Sequence, residues 1–180
     1  MAILGRRIQL RAIERSDIPT FLRWLNDPEV IKNLLLYLPL SQAQEEQWFE
    51  DYLCDTSRHI FGIEKEDGKL IGNVALEGIN WKDRHAELGI VIGEKDCWDK
   101  GYGTDAVHAL LGFAFREMNL HRVFLRVFED NVRAIRCYEK CGFQHEGRLR
   151  EAEFSAGCYR DELLMGVLRS EFLAAGGGEV

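Results

Sequence analysis

Apolar and polar residues alternate along several segments of the chain, and turn residues separate these segments. A period of two is typical of β-strands with one buried face, and it predicts strands at residues 7–13, 59–65, 70–79, 85–92, 122–127, 143–150 and 159–168. Asp67 and Gly68 lie between the second and third strands, and this dipeptide favours a tight hairpin turn. The pattern therefore predicts three antiparallel strands before the middle of the chain.

Between most of these strands, apolar residues recur every three or four positions, which is the period of an amphipathic helix. This period predicts helices that begin near Ser16, Ser41, Gly103 and Asn131, and a short helical piece at residues 28–36. Ser41 and Gln44 have the spacing of a capping box, and Gly142 is typical of a helix end.

The order of these elements predicts the fold class. It indicates an α/β fold with a mixed, mostly antiparallel, twisted sheet and helices on both faces. The helix near Gly103 is predicted as a crossover between two parallel neighbouring strands. We expect residues 1–173 to form a single domain and the Gly-rich residues 174–180 to be a disordered tail.

The net charge and the cysteine content bear on which partners, compartment and metal sites are expected. The net charge of −7 argues against a nucleic-acid interface, and no apolar run approaches the roughly 20 residues of a membrane span. The five cysteines follow no framework spacing, which predicts free thiols in a reducing, cytoplasmic compartment. Cys137 and Cys141 lie one helical turn apart without a matching pair elsewhere, so we predict buried structural thiols and no metal site.

The junction between the strand at 85–92 and the central helix carries the main chemical signal. Gly101 and Gly103 allow a tight turn and a close approach of a ligand to the backbone. The first amides of the following helix have no partner within it, and the helix dipole favours an anion there. Phosphate binding is the functional interpretation, and a Gly-rich turn without a ligand is the alternative.

Two motifs in this order resemble the GNAT family of N-acetyltransferases: WDKGYGT at 98–104 and NVRAIRCYEKCGF at 131–143. In the first motif, Trp98 stands where the family usually has Gln or Arg. The segments 24–30 (WLNDPEV), 147–150 (GRLR) and 157–161 (GCYRD) further resemble the ribosomal-protein-alanine N-acetyltransferase branch and the spermidine N-acetyltransferases. Asp99 stands where that branch often has Gly, which should weaken pyrophosphate binding unless the side chain turns outward or Lys100 offsets it.

The resemblance implies the GNAT fold and acetyl-CoA as co-substrate. Backbone amides of the glycine turn would hold the pyrophosphate, and the preceding strand would pair with the pantetheine arm. The cofactor-binding residues implied in this way are Ile90, Val91, Ile92, Trp98, Asp99, Lys100, Gly101, Tyr102, Gly103, Thr104, Asn131, Ala134 and Tyr138. For Asn131, a plain N-cap role is compatible with the same position.

Two residues are candidates for catalysis. Glu87 shares a strand face with Gly89 and Val91, and it is predicted to act as a base or to hold a water. The alternative for Glu87 is an exposed carboxylate or an ion pair with Arg84. Tyr138, on the face of the last helix that the motif assigns to the cofactor, is predicted to protonate the thiolate, and a core tyrosine is its alternative.

The function implied is acetylation of a primary amine, with a protein or peptide N-terminal α-amine as the favoured acceptor. A polyamine or another small amine is the alternative, and a non-catalytic acyl-CoA-binding module would need neither Glu87 nor Tyr138. Residues 24–55 are predicted to line the acceptor site, with acids that attract a cation: Asp27, Glu29, Glu45 and Glu46. The oligomeric state stays open, with a homodimer as one alternative.

Overall fold

The computed structural model describes residues 2–155 and 157–176, and within them the strands form one eight-stranded sheet. The strands are β1 (Ile3–Leu4), β2 (Ile8–Ala12), β3 (His59–Lys65), β4 (Leu70–Asn80), β5 (His85–Ile92), β6 (Arg122–Phe128), β7 (Gln144–Ser155) and β8 (Cys158–Leu168). Their order in the sheet is β1-β2-β3-β4-β5-β6-β8-β7. Every neighbouring pair is antiparallel except β5 and β6, which confirms the mixed, mostly antiparallel sheet.

Helices cover both faces of this sheet, as predicted. They are α1 (Ile18–Leu25), α2 (Pro28–Ile31), α3 (Gln42–Cys54), α4 (Tyr102–Arg116), α5 (Val132–Lys140) and α6 (Arg169–Ala174). One core lies between the sheet and α4, α5 and α6, and a second core lies between the opposite face and α1, α2 and α3. Alternation along the strands supplies both cores: Val74 and Leu76 belong to the first, and Ala75 belongs to the second. No helix in these described ranges is long and apolar enough to cross a membrane.

Local signals gave several element boundaries correctly. Ser41 and Gln44 form the reciprocal capping box of α3. Gly68, with φ +78°, turns the hairpin between β3 and β4, and Gly142, with φ +91°, follows α5. Each glycine occupies the left-handed region where other residues are strained.

Other boundaries differ from the prediction. Ser16 is not the N-cap of α1, because residues 15–17 form a 3-10 turn and Asp17 precedes the helix. The Asp17 carboxylate instead receives two hydrogen bonds from Arg11, at 2.8 and 2.9 Å. The short helix α2 ends at Ile31 and not at residue 36.

The pattern missed β1 and α6 and made β7 too short. The strand β1 has two residues, and β7 extends to Ser155 through register shifts in its pairing with β8. Ala174 ends α6, so the predicted tail begins inside a helix, and its residues 177–180 lie outside the described part.

The parallel pair β5 and β6 forms only a short ladder. The crossover helix α4 connects these strands, and they pair at three positions, from His85 opposite Arg122 to Glu87 opposite Phe124. The pairing stops at Glu87, whereas β5 continues to Ile92 on β4. The two strands therefore diverge and leave the second half of β5 with an open edge.

Candidate active site

A cleft of about 740 Å³ opens where β5 and β6 diverge. Its walls are the second half of β5, the turn before α4, one face of α5, the end of β6 and residues 29, 30 and 33–35. The following residues predicted to bind the cofactor line it: Ile90, Val91, Ile92, Trp98, Asp99, Gly101, Tyr102, Gly103, Thr104, Asn131, Ala134 and Tyr138. Lys100 is not among the lining residues of the described chain; its carbonyl accepts a hydrogen bond from Arg7, at 2.7 Å.

The glycine turn exposes the N-terminus of α4 to the cleft. Gly101 is the N-cap residue and has φ +84°, which only glycine adopts without strain. A Cβ atom on Gly103 would lie 3.8 Å from both Cys137 Sγ and Ile92 Cγ1, an ordinary contact distance. The surrounding atoms thus leave room for a Cβ at residue 103, which lines the cleft.

Trp98 connects the turn to the strand. Its Nε1 donates to the carbonyl of Ile92 at 2.7 Å, and the Arg133 guanidinium stacks 4.3 Å from its ring centroid. An amide or guanidinium in the usual Gln or Arg position would lack this stacking surface. The carbonyl of Ile92 retains a second lone pair for another donor.

Asp99, which stands where the resembled branch often has Gly, adopts a backbone conformation that is typical of glycine. Its φ is +57°, a left-handed conformation in which glycine is unstrained. Its side chain is 75% exposed and lies 4.0 Å from Arg133 Nη1, so the carboxylate points outward and is partly neutralised. A glycine at this position would adopt the same backbone conformation without strain.

Helix α5 contributes its N-terminus and three basic side chains. The Asn131 side chain caps the helix by accepting from the Ala134 amide at 3.3 Å. Arg133, Arg136 and Lys140, which sequence reasoning missed, also line the cleft. Their spacing of three and four residues was a visible signal, because it places cations on one helical face.

Tyr138 is buried in the cleft wall, 7% exposed, with its ring packed edge-on against Phe143. Burial raises the pKa of its phenol, and the neighbouring thiols of Cys137 and Cys141 raise it further. The phenol therefore keeps its proton at any physiological pH. The Thr104 hydroxyl lies 3.3 Å from Cys137 Sγ, and so it is already engaged within the protein.

Glu87 lies where the alternation predicted it, on the sheet face opposite α4. Its Oε1 accepts a hydrogen bond from Arg126 Nε at 2.9 Å, so its cationic neighbour is Arg126 and not Arg84. Glu77 stands opposite it on β4, and both carboxylates line the cleft. Glu162 of β8, 4% exposed, also lines it on this face. Glu162 was missed, although a carboxylate within the apolar run of a strand is itself a signal.

The predicted acceptor segment contributes only its first part. Residues 29, 30 and 33–35 line the cleft, and Arg160 holds them to β8 through hydrogen bonds to the Lys32 carbonyl, at 3.2 Å, and to Asn33 Oδ1, at 3.1 Å. The predicted acids mostly have other partners. Lys95 pairs with Asp27 at 2.8 Å and Glu29 at 2.9 Å, and Glu45 is buried.

The chain matches the model of the acetyltransferase (GNAT) domain over residues 7–144. The chain belongs to the GNAT acetyltransferase family. It is 33% identical over 171 residues to the spermidine N(1)-acetyltransferase of Vibrio cholerae, covering 94% of this chain and 98% of that protein. It is 31% identical to the putative ribosomal N-acetyltransferase YdaF of Bacillus subtilis, covering 94% and 95% of the two chains.

Solved structures give the same family and fold. The crystal structure of the V. cholerae spermidine N-acetyltransferase in complex with CoA and spermine has a TM-score of 0.87 to this chain. The sequence identity there is 32%, and the alignment covers 93% of this chain and 98% of that one. This GNAT protein is thus an acetyl-CoA-dependent N-acetyltransferase.

The cleft suits this co-substrate. The exposed amides of α4 and the cations of α5 match phosphate groups, and the open edge of β5 matches the amide groups of a pantetheine arm. In the described ranges, no group of three or more His, Cys, Asp or Glu residues is arranged to hold a metal ion.

Proposed function

We propose that this GNAT enzyme acetylates a primary amino group of a small cationic amine of the polyamine type. The observation that supports this proposal is the separation of charge across the cleft. Basic residues enter it from α5, whereas Glu77, Glu87 and Glu162 line it from the opposite face of the sheet. One side suits the phosphates of the cofactor, and the other side suits a cation. The similarity to spermidine N-acetyltransferases supports a polyamine acceptor over the peptide α-amine that the resemblance to the ribosomal-protein branch favoured.

Cofactor binding is assigned to the glycine turn and the open strand edge. The amides from Trp98 to Thr104 hold the pyrophosphate, and the Ile90–Ile92 segment pairs with the pantetheine amides as an added strand would. Asn131 caps α5 and orients its N-terminus toward the arm. The thioester then lies near the point where β5 and β6 diverge.

The chemistry requires a neutral amine and a protonated leaving group. The amine attacks the acetyl carbonyl, the carbon–sulfur bond breaks, and the thiolate of CoA receives a proton. Tyr138, whose phenol is protonated in the resting enzyme and which lines the cleft, supplies that proton. Glu87 accepts the proton of the incoming ammonium directly or through a water.

The type of amine decides how much a carboxylate matters. Deprotonating an alkylamine with a pKa near 10.4 at pH 7 costs roughly 4.6 kcal/mol, against roughly 1.1 kcal/mol for a peptide α-amine with a pKa near 7.8. A row of carboxylates on the acceptor side therefore benefits a polyamine far more than a peptide.

A direct competition distinguishes the two acceptors. With spermidine and an Ala-initiated peptide in one assay, we expect spermidine to have the higher kcat/KM by about 10- to 100-fold, since one charge-assisted hydrogen bond contributes about 1.5–3 kcal/mol. A higher kcat/KM for the peptide would instead establish the α-amine acceptor. Absence of turnover with both would show that the enzyme acetylates a different amine and would overturn the polyamine proposal.

Replacing Glu87 by glutamine should reduce the rate most at low pH. Few amine molecules are neutral at low pH, so the loss of the base lowers kcat/KM most there. The difference in kcat/KM from the parent enzyme should shrink as the pH approaches the pKa of the amine. The measurement is kcat/KM from about pH 6 to about pH 10. Glu77→Gln, which removes the same charge from the neighbouring strand, should lower kcat/KM by a similar factor at every pH. If the pH profiles of kcat/KM for the two variants have the same shape, Glu87 does not act as a base, and its role is the ion pair with Arg126.

A further inference from the structure

Glu162 is a buried acid that packing does not explain. It lies on β8 opposite Phe128 of β6 and is 4% exposed. Its neighbours Leu163 and Met165 belong to the core under α4 and α5, so Glu162 faces the other way, toward the acceptor side of the cleft. A carboxylate in this position has lost most of its contact with water.

The Glu162 carboxylate has not recovered that loss within the protein. Its Oε2 has no hydrogen-bond partner in residues 2–155 and 157–176. The nearest cation is Arg126 Nη1 at 3.7 Å, which is beyond hydrogen-bonding distance, while Arg126 Nε is bonded to Glu87. Leaving a buried carboxylate oxygen unbonded destabilises a folded protein. Glu162 also lines the cleft, so a cation bound there would supply the missing partner of this carboxylate.

The charges around Glu162 agree with a cationic ligand. Burial raises the pKa of its carboxyl group, Arg126 lowers it, and the negative charges of Glu153 and Glu87 raise it again. Arg126 of β6 thus faces three carboxylates, one each from β5, β7 and β8. A positively charged amino group placed beside Glu162 would donate the missing hydrogen bond and would balance the excess of negative charge.

We infer that Glu162 is a specificity-determining residue of the acceptor site, and that its carboxylate binds a charged, non-reacting amino group of a diamine or polyamine. This inference rests on the proposed function and deepens it. Glu87 acts at the amine that becomes acetylated, and Glu162 holds a second nitrogen of the same molecule. The enzyme then prefers acceptors with two or more charged nitrogens to simple monoamines.

The variant Glu162→Gln tests this role, with Glu153→Gln as the matched control. Glu153 is also close to Glu162 and Arg126 in the local field but does not line the cleft. We expect Glu162→Gln to raise the KM for spermidine about 10- to 100-fold while kcat and the KM for acetyl-CoA stay within about twofold. For propylamine, which has no second nitrogen, the KM should change by about twofold at most. The control should change neither acceptor's KM by more than that.

A thermal unfolding measurement without substrates separates this role from a structural one. If Glu162 serves a ligand, the neutral amide removes a buried unpaired charge, and the variant should unfold at the same temperature as the parent enzyme or higher. A lower unfolding temperature with an unchanged spermidine KM would overturn the inference in favour of a structural ion pair with Arg126. Equal losses with spermidine and propylamine would overturn it as well.

The two proposals fail in different ways. If the parent enzyme acetylates no polyamine, the proposed function is wrong whatever the variant does. If the parent acetylates spermidine and Glu162→Gln behaves like Glu153→Gln, only the assignment of Glu162 is wrong.

Discussion

Replacing Tyr138 by phenylalanine should lower kcat by about 10²- to 10⁴-fold, the usual contribution of a positioned general acid. The KM for acetyl-CoA should change little, because the ring and its packing against Phe143 remain. Since burial raises the pKa of this phenol, the parent enzyme should also lose no activity in the pH range where an ordinary tyrosine ionises. Steady-state kinetics with saturating acetyl-CoA measure both effects.

Tyr159→Phe is the matched control for this experiment. The ring of Tyr159 is exposed on β8 and lies outside the cleft lining of the described residues, so the loss of its hydroxyl should leave kcat within about twofold. If Tyr138→Phe stays within the same factor, the residue contributes packing to α5, and another group protonates the thiolate.

Gly103→Val should raise the dissociation constant for acetyl-CoA by about 100-fold or more while the protein stays folded. The added side chain would start beside Cys137 and Ile92 in the cleft wall, at the first turn of α4, where we propose that a phosphate approaches the backbone. Losing as little as one or two charge-assisted hydrogen bonds there accounts for this factor. The fold should persist, because the nearest atoms to a Cβ at residue 103 are 3.8 Å away. Calorimetry with acetyl-CoA gives the dissociation constant.

Gly112→Val makes the same substitution on the same helix, two to three turns further along. No atom lies within 4 Å of a Cβ at residue 112, and this position is outside the cleft lining of the described chain. Its affinity for acetyl-CoA should therefore equal that of the parent enzyme. An unchanged affinity in a folded Gly103→Val protein would remove the glycine turn from the cofactor site.

Sequence alone gave the fold where the signals were local. The capping box of Ser41 and Gln44 and the hairpin glycine at residue 68 involve neighbours in the chain, and both appear as expected. Ser16 is not the cap, because the Asp17 carboxylate accepts hydrogen bonds from the Arg11 side chain and the Glu14 amide and stabilises a 3-10 turn at this point. Strand β1 has two residues, which is too short for any periodicity to detect.

The candidate site divides in the same way. The glycine turn and the α5 motif are contiguous in sequence, so their resemblance to a family could be recognised without coordinates. The partners of the acids could not, since the ion pair of Glu87 with Arg126 spans 39 residues and that of Lys95 with Glu29 spans 66. Charge counting along the chain cannot separate an acid that is hydrogen-bonded to a cation from one such as Glu162, whose Oε2 has no hydrogen-bond partner within the described residues.

The divergence of β5 from β6 creates an unpaired strand edge in the interior of a sheet. Exposed edges usually invite other chains to pair with them, and such pairing leads to aggregation. Here the unpaired edge lies inside the cleft, between α5 and the diverging end of β6, and the Trp98 indole donates one hydrogen bond to its Ile92 carbonyl. The edge that we propose to pair with the amide groups of the pantetheine arm is therefore enclosed by its own sheet, whereas an outer strand would offer the same backbone groups directly to a neighbouring chain.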